Sequence, residues 1–183
     1  MLVALAGQPG EIRVLFRGRI ELLPLDESIP RFVYHEAAEL SLPRAMALVN
    51  SAREASQKAA RLAIKDVLRE LDSRGAKADV CGVLSSSTLV PDDLSRILQS
   101  HPLIHAAEGA LFRQAIVLAC ESGGLAVTAA REREVWARAA AAWSIAEPRL
   151  RKEVDALRAS VGAPWSADHK TAAAIALLAL KSR

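Results

Sequence analysis

Aromatic residues are scarce in this chain: three Trp, one Tyr and three Phe, or 4% of 183 residues. Cysteine is scarcer still. Cys81 and Cys120 form no CxxC pair and fall in apolar stretches, which reads as two buried thiols in a reducing cytoplasm; a chain of this size needs no disulfide staple. No apolar run approaches the ~20 residues that cross a bilayer, so no membrane association is expected. The opening Met1–Ala6 is apolar but has no basic region before it and meets Gly7 and Pro9 at once, so it reads as a strand and not as a signal peptide. GxGxxG and GxxxxGK[ST] phosphate loops are both missing, which removes the commonest dinucleotide and P-loop chemistries. No serine stands in a GxSxG elbow, so no hydrolase triad is read from the sequence.

What is present is an ordinary globular composition, 51% apolar and 25% charged, incompatible with disorder or low complexity. Length alone suggests a single domain over 1–183, able to remove roughly 70% of its unfolded surface from water. Thirty-six residues are Ala, so the apolar fraction overstates the bulky core and favours closely approaching helices. The net charge is +3, but it is uneven: residues 131–183 carry 10 basic and 6 acidic side chains, and 18 of the 24 basic residues are Arg. Guanidinium is the better phosphate fork. This basic stretch is either a solvated face or a phosphate-contacting surface, with Arg138, Arg149, Arg151 and Lys170 as the candidate nucleic-acid contacts.

Along the chain, Leu2–Ala6 and Glu11–Phe16 read as strands with a turn at Gly7-Gln8-Pro9-Gly10 between them, and Arg17-Gly18 as a reversal into a third strand, Arg19–Leu23, making 11–23 a hairpin. Pro24 and Pro30 bracket a loop, and Arg31-Phe32-Val33-Tyr34 suggests a short edge strand. A long helix runs from Ser41 to Gly75, with Met46, Val49, Ala60, Ala63, Ile64, Val67, Leu68 and Leu71 on its apolar face. A buried strand, Asp79–Leu84, precedes Ser85-Ser86-Ser87-Thr88. A short helix from Pro91, a longer one from Pro102 to Glu121 and a strand at Leu125–Ala130 follow. Residues 131–183 form a helical part, broken at Pro148 and Gly162-Ala163-Pro164, with Ser166 capping the last helix. Strands joined through helices lie parallel, so the expected class is α/β: a mixed sheet with an opening antiparallel hairpin and extra C-terminal helices.

This order resembles the ribonuclease H-like superfamily, and three stretches are similar to RuvC-type Holliday-junction resolvases: Leu5-Ala6-Gly7-Gln8-Pro9-Gly10, Leu111–Ala129, and Pro164-Trp165-Ser166-Ala167-Asp168-His169-Lys170 with the alanine-rich helix after it. The resemblance implies carboxylates holding two Mg²⁺ or Mn²⁺ ions. Here Gln8 stands at the first aspartate position, Leu84-Ser85-Ser86 where a glutamate is expected, and Thr171 at the second acidic position of the last helix. Asp168 alone matches. The resemblance therefore implies a nucleic-acid-associated protein with a degenerate nuclease site, in which Asp168 can ligate a single metal or orient His169, and Lys170 can contact phosphate.

A separate constellation is His101-Pro-Leu-Ile-His105-Ala-Ala-Glu108. Positions i, i+4 and i+7 share a helix face, so two imidazoles and a carboxylate can converge on Zn²⁺ or a similar ion, provided that Pro102 does not leave His101 off the helical face. Such a site predicts a metal-dependent hydrolase with Glu108 at the chemistry. His35, Glu36 and Glu39 can add ligands if the fold brings them near Asp168 or His105. Glu108-Gly109 followed by Arg113 reads as an ion-pair and close-packing feature. Ser85–Thr88 ends a strand where α/β proteins bind ligands, or is helix-entry chemistry. Trp136, Trp143 and Trp165 read as packing residues. A third expectation is a non-catalytic homodimer formed through alanine-rich helices.

Overall fold

The computed structural model describes residues 1–23 and 28–182. The chain is mixed α/β, and its packing falls into two units, each discontinuous in sequence: residues 1–20, 65–85 and 124–183 in the first, 21–64 and 86–123 in the second.

In the first unit, β1 (Leu2–Ala6) pairs antiparallel with β2 (Arg13–Gly18) from Leu2 opposite Gly18 to Ala6 opposite Arg13. The turn expected at Gly7-Gln8-Pro9-Gly10 forms, whereas the reversal expected at Arg17-Gly18 does not. Gly7 and Gly10 take φ of +97° and +96°, a region in which an L side chain is strained, and Glu11 N–H donates to the Gln8 carbonyl at 2.8 Å. Gly18 has no positive φ and serves as the last paired residue of β2. That explains the main departure from the sequence expectation: Arg19–Leu23 is not a strand, because no turn exists to fold it back. The register slips between Ala4 and Leu5, leaving Leu15 as an extra residue on β2, and its carbonyl accepts from Arg74 Nη1 at 2.8 Å.

The other sheet pairs β3 (Val80–Ser85) with β4 (Ala126–Arg131) in parallel, as strands separated by helices require. Among the described residues the strands form two two-stranded sheets and not one mixed sheet. Around them lie α5 (Glu132–Ala142), α6 (Glu147–Ala156), α7 (Arg158–Val161) and α8 (Ala167–Lys181). α8 packs on β1, β3 and β4. Its fit on β3 depends on Gly82, where a Cβ would collide with the Ile175 carbonyl. Ala173 and Ala174 are fully buried, as close approach demands, and Leu150, Leu177, Val135 and Val154 supply the bulk of the core. Trp165 and Trp143 donate their indole N–H groups to the Val154 and Leu177 carbonyls at 2.8 and 2.9 Å. Pro148 lies in the first turn of α6, where its missing N–H costs nothing.

The second unit is helical among its described residues. α1 (Val33–Ala38) replaces the edge strand expected at Arg31–Tyr34. α2 (Leu42–Ser73) contributes its residues 42–64 here and its end to the first unit. Val49, Ala60, Ile64, Val67 and Leu71 are buried as their spacing implies, whereas Ala63 and Leu68 are half-buried and Met46 is exposed. α3 (Leu94–Leu98) starts at Asp93, whose carboxylate accepts from the Ser95 N–H at 2.9 Å and the Ser95 hydroxyl at 2.8 Å. α4 (His101–Ser122) follows, with Pro102 in its first turn. The core joins Val33, Tyr34, Ala37, Val49, Ile97, Ile104, Ala107 and Leu111. α4 is the one helix among the described residues long and apolar enough to cross a membrane, but Ile104, Ala107, Leu111, Ala115, Ala119 and Cys120 bury one of its faces inside the protein. Of the loop expected from Pro24 to Pro30, residues 24–27 lie outside the described residues.

Candidate metal centre

His101 is the first residue of α4, so Pro102 does not remove it from the helical face, and the i, i+4 relation to His105 holds. Their Nε2 atoms approach to 2.9 Å, one carrying the hydrogen that the other accepts. The rings stand nearly perpendicular, 4.4 Å between centroids.

The third imidazole arrives on α1, and a carboxylate brings it. α1 is six residues long, and the side chain at its N-cap, Phe32, offers no acceptor. Glu108 of α4 fills that role. Its Oε1 accepts the Tyr34 N–H at 2.7 Å and the His35 N–H at 3.2 Å, two of the donors every helix start leaves without an intrahelical partner. A carboxylate at this end also suits the helix dipole. The same oxygen lies 3.2 Å from His35 Nδ1, which fixes the tautomer with hydrogen on Nδ1 and leaves the lone pair on Nε2.

Pinned in this way, His35 sits 4.7 Å from the His105 ring and 5.7 Å from the His101 ring, centroid to centroid. His35, His101 and His105 each offer a ligand nitrogen, and the three lie within 4.8 Å of one another. A tetrahedral ion with Zn–N bonds of 2.0–2.1 Å places its ligand nitrogens about 3.4 Å apart, so small side-chain rotations suffice to close the set. His101 and His105 are exposed and His35 half-buried, so a fourth position faces solvent.

Behind the imidazoles the surroundings turn apolar. Glu108 Oε2 is buried with no hydrogen-bond partner. Tyr34 is buried beside it; desolvation pushes the phenol above its ordinary range, opposed chiefly by the charge and hydrogen bond of Arg53. Phe32 covers the outer edge of His35 at 5.8 Å between centroids.

The other candidate residues fall elsewhere. Asp168 is exposed in the first turn of α8. His169 is buried, and its Nδ1 lies 2.7 Å from Ser166 Oγ and accepts the Ser166 N–H at 3.2 Å, a capping interaction. Burial, then Arg17 and the Met1 ammonium, hold its pKa below the ordinary range against the opposing charge of Asp168. β1 packs on α8, and Gln8 stands in the turn between β1 and β2. Lys170 pairs with Asp155 at 2.8 Å, Arg149 with Glu153 at 3.0 Å, and Arg151 with Glu147 at 2.7 Å while stacking 4.3 Å over Trp136. Arg138 donates to the Ala129 carbonyl at 3.2 Å. Ser86 Oγ accepts the Thr88 N–H at 3.0 Å, an ordinary turn. Glu36 and Glu39 are exposed and outside the histidine cluster, whereas His35, the conditional candidate beside them, joins it.

Tyr34 and Arg53 carry no motif, and nothing in the linear sequence singles them out. Their part comes from packing across residues distant in the chain. No protein-family model, curated protein or solved structure matches this chain.

Proposed function

We propose that this protein is a metal-dependent hydrolase whose ion is held by His35, His101 and His105, with Glu108 orienting His35 from behind. The observation that carries the reading is the convergence of three ligand nitrogens from two helices within 4.8 Å. Three neutral imidazoles suit Zn²⁺ or another late divalent ion, whereas Mg²⁺ prefers hard, charged oxygens. Three protein ligands and an open fourth position are the arrangement in which such an ion binds water and brings its pKa towards neutrality. A carboxylate on the far nitrogen of a ligating imidazole fixes its orientation and raises its basicity. We place the protein in the cytoplasm, since a chain with only two cysteines in 183 residues suits a reducing compartment.

The test uses untagged protein. Stoichiometric Zn²⁺ by elemental analysis, and a Co²⁺-substituted form with the absorption of a tetrahedral N-ligated ion, both lost in His105→Ala, are expected. Metal content unchanged in that variant overturns the reading.

A second reading, nucleic-acid association on a ribonuclease H-like scaffold, rests on the exposed arginines of residues 131–183. It predicts binding that weakens steeply with salt, because counterion release drives phosphate contacts. Binding to single- or double-stranded DNA that does not change with salt removes it.

A further inference from the structure

His169 is the one buried histidine among the described residues, and histidine is the side chain whose charge changes near neutral pH. It is the third residue of α8 and closes a capping box with Ser166. Ser166 Oγ accepts the His169 N–H, and His169 Nδ1 accepts the Ser166 N–H at 3.2 Å. Glutamate or glutamine ordinarily holds this position. A histidine does the same work only while Nδ1 keeps its lone pair. The ring lies 5.4 Å from that of Trp165, which is itself buried, with its indole N–H on the Val154 carbonyl.

Little else holds the segment leading into this cap. Residues 158–164 are exposed, the half-buried Val161 excepted. Arg17 of β2 buckles them: Nη2 donates to the Val161 and Ala163 carbonyls at 2.7 and 3.3 Å, and Nη1 to Gly162 at 3.3 Å and to Pro164. A stretch with few buried contacts opens locally at less cost than the core behind it.

A proton on His169 opposes the closed arrangement in several ways. Protonated Nδ1 cannot accept, so the Ser166 N–H loses its partner. The imidazolium stands at the end of α8 where the helix dipole disfavours a cation. It is shielded from water, and Arg17 and the Met1 ammonium repel it; Asp168 attracts it, and the balance holds the pKa below the ordinary range. On the α6 side, Asp155 is engaged by Lys170 at 2.8 Å.

We infer that the head of α8 is an acid-released latch: a proton on His169 frees residues 158–170 from β2 and bares Trp165, while the rest of α8 stays packed on its strands. The device lies in the first unit and is independent of the histidines of the second. Its closed form is favoured in full above the open-state value of about 6.5 and loses that advantage as pH falls below it.

Hydrogen exchange of the full-length protein, expressed as protection factors so that intrinsic rates cancel, tests the latch. The probes are the Gly162 and Lys170 amides, which donate to the Arg158 and Ser166 carbonyls. Their exchange should be insensitive to low urea, as a local opening requires, and their protection should fall at least about fivefold between pH 7 and pH 5. His169→Gln keeps an acceptor that cannot titrate, so its protection should hold within about twofold over the same range. In Arg17→Gln, the NMR titration midpoint of the His169 ring should move upward. Circular dichroism checks that both variants fold, and should His169→Gln not fold, Arg17→Gln carries the test. Exchange of Gly162 and Lys170 in step with Leu177 in urea overturns the latch, because it leaves only global unfolding. An equal loss of protection in His169→Gln, or an unmoved midpoint in Arg17→Gln, overturns it as well.

Discussion

The two units treat their polar groups in opposite ways. In the first, Lys170, Arg131, Arg149 and Arg151 pair with nearby acids, Arg17 is wrapped in backbone carbonyls, and the buried His169 answers Ser166. In the second, three imidazoles crowd together and one carboxylate oxygen is buried without a partner. Protein interiors satisfy nearly all their polar groups. Among the described residues the one buried side-chain polar atom without a partner, Glu108 Oε2, lies in the second unit with the three converging imidazoles, and that is where a ligand is to be sought.

The largest expected effect checks that the first unit is structural. Leu177 is fully buried in its core, and Leu177→Ala should lower unfolding free energy by about 2–5 kcal/mol, read by urea denaturation. Zn²⁺ affinity of the folded fraction should not change. A matching loss of metal affinity would break the comparison, because it would tie the histidines to the wrong unit.

Glu108→Ala comes next and should act twice. It removes the acceptor of two α1 N–H groups, about 1–3 kcal/mol of stability for unsatisfied donors, and it frees His35, for which about 10–100-fold weaker metal binding is expected. Glu108→Gln keeps an acceptor but loses the charge, so it should recover stability more fully than metal affinity. Equal recovery of both would reduce Glu108 to a helix cap.

These two variants also mark what could be read from the sequence. The i, i+4, i+7 spacing of His101, His105 and Glu108 is local and therefore visible, as are α2, the parallel pairing of β3 with β4, and the capped α8. The meeting of Glu108 with α1 spans more than 70 residues. Its effect is to cap a helix whose own residues, Phe32-Val33-Tyr34, have strand propensity, so local preference pointed the wrong way and tertiary packing prevailed. For the same reason the third imidazole is visible only as a conditional candidate. The missing strand at Arg19–Leu23 is a different error: Gly18 offers a turn that its backbone does not take.

A smaller effect follows from His169. Its folded-state pKa is depressed, so the neutral ring is favoured in the fold. Its contribution to stability is present above the unfolded value of about 6.5 and is lost as pH falls below it. His169→Asn, which cannot titrate, should therefore flatten part of the decline in Tm between pH 7 and pH 5. An identical slope in both proteins would show that His169 keeps its ordinary value.

The smallest effects should come from the surface arginines. Arg149 and Arg151 pair with glutamates at i,i+4 spacing on α6, and both arginines are largely exposed. Such pairs contribute about 0.3–0.5 kcal/mol, so Arg149→Ala should hardly move a urea midpoint, and Arg151→Ala only slightly more through its lost stacking on Trp136. Near-silence is informative here because these residues are also the nucleic-acid candidates. If the double variant leaves DNA binding at low salt unchanged, the arginines are a solvated face and the first unit is a scaffold in full. If instead it weakens that binding and flattens its salt dependence, their acidic partners are only resting contacts that phosphate displaces. The contrast between the units would then separate two functions, since paired surface charges exchange partners at little cost whereas buried groups without partners do not.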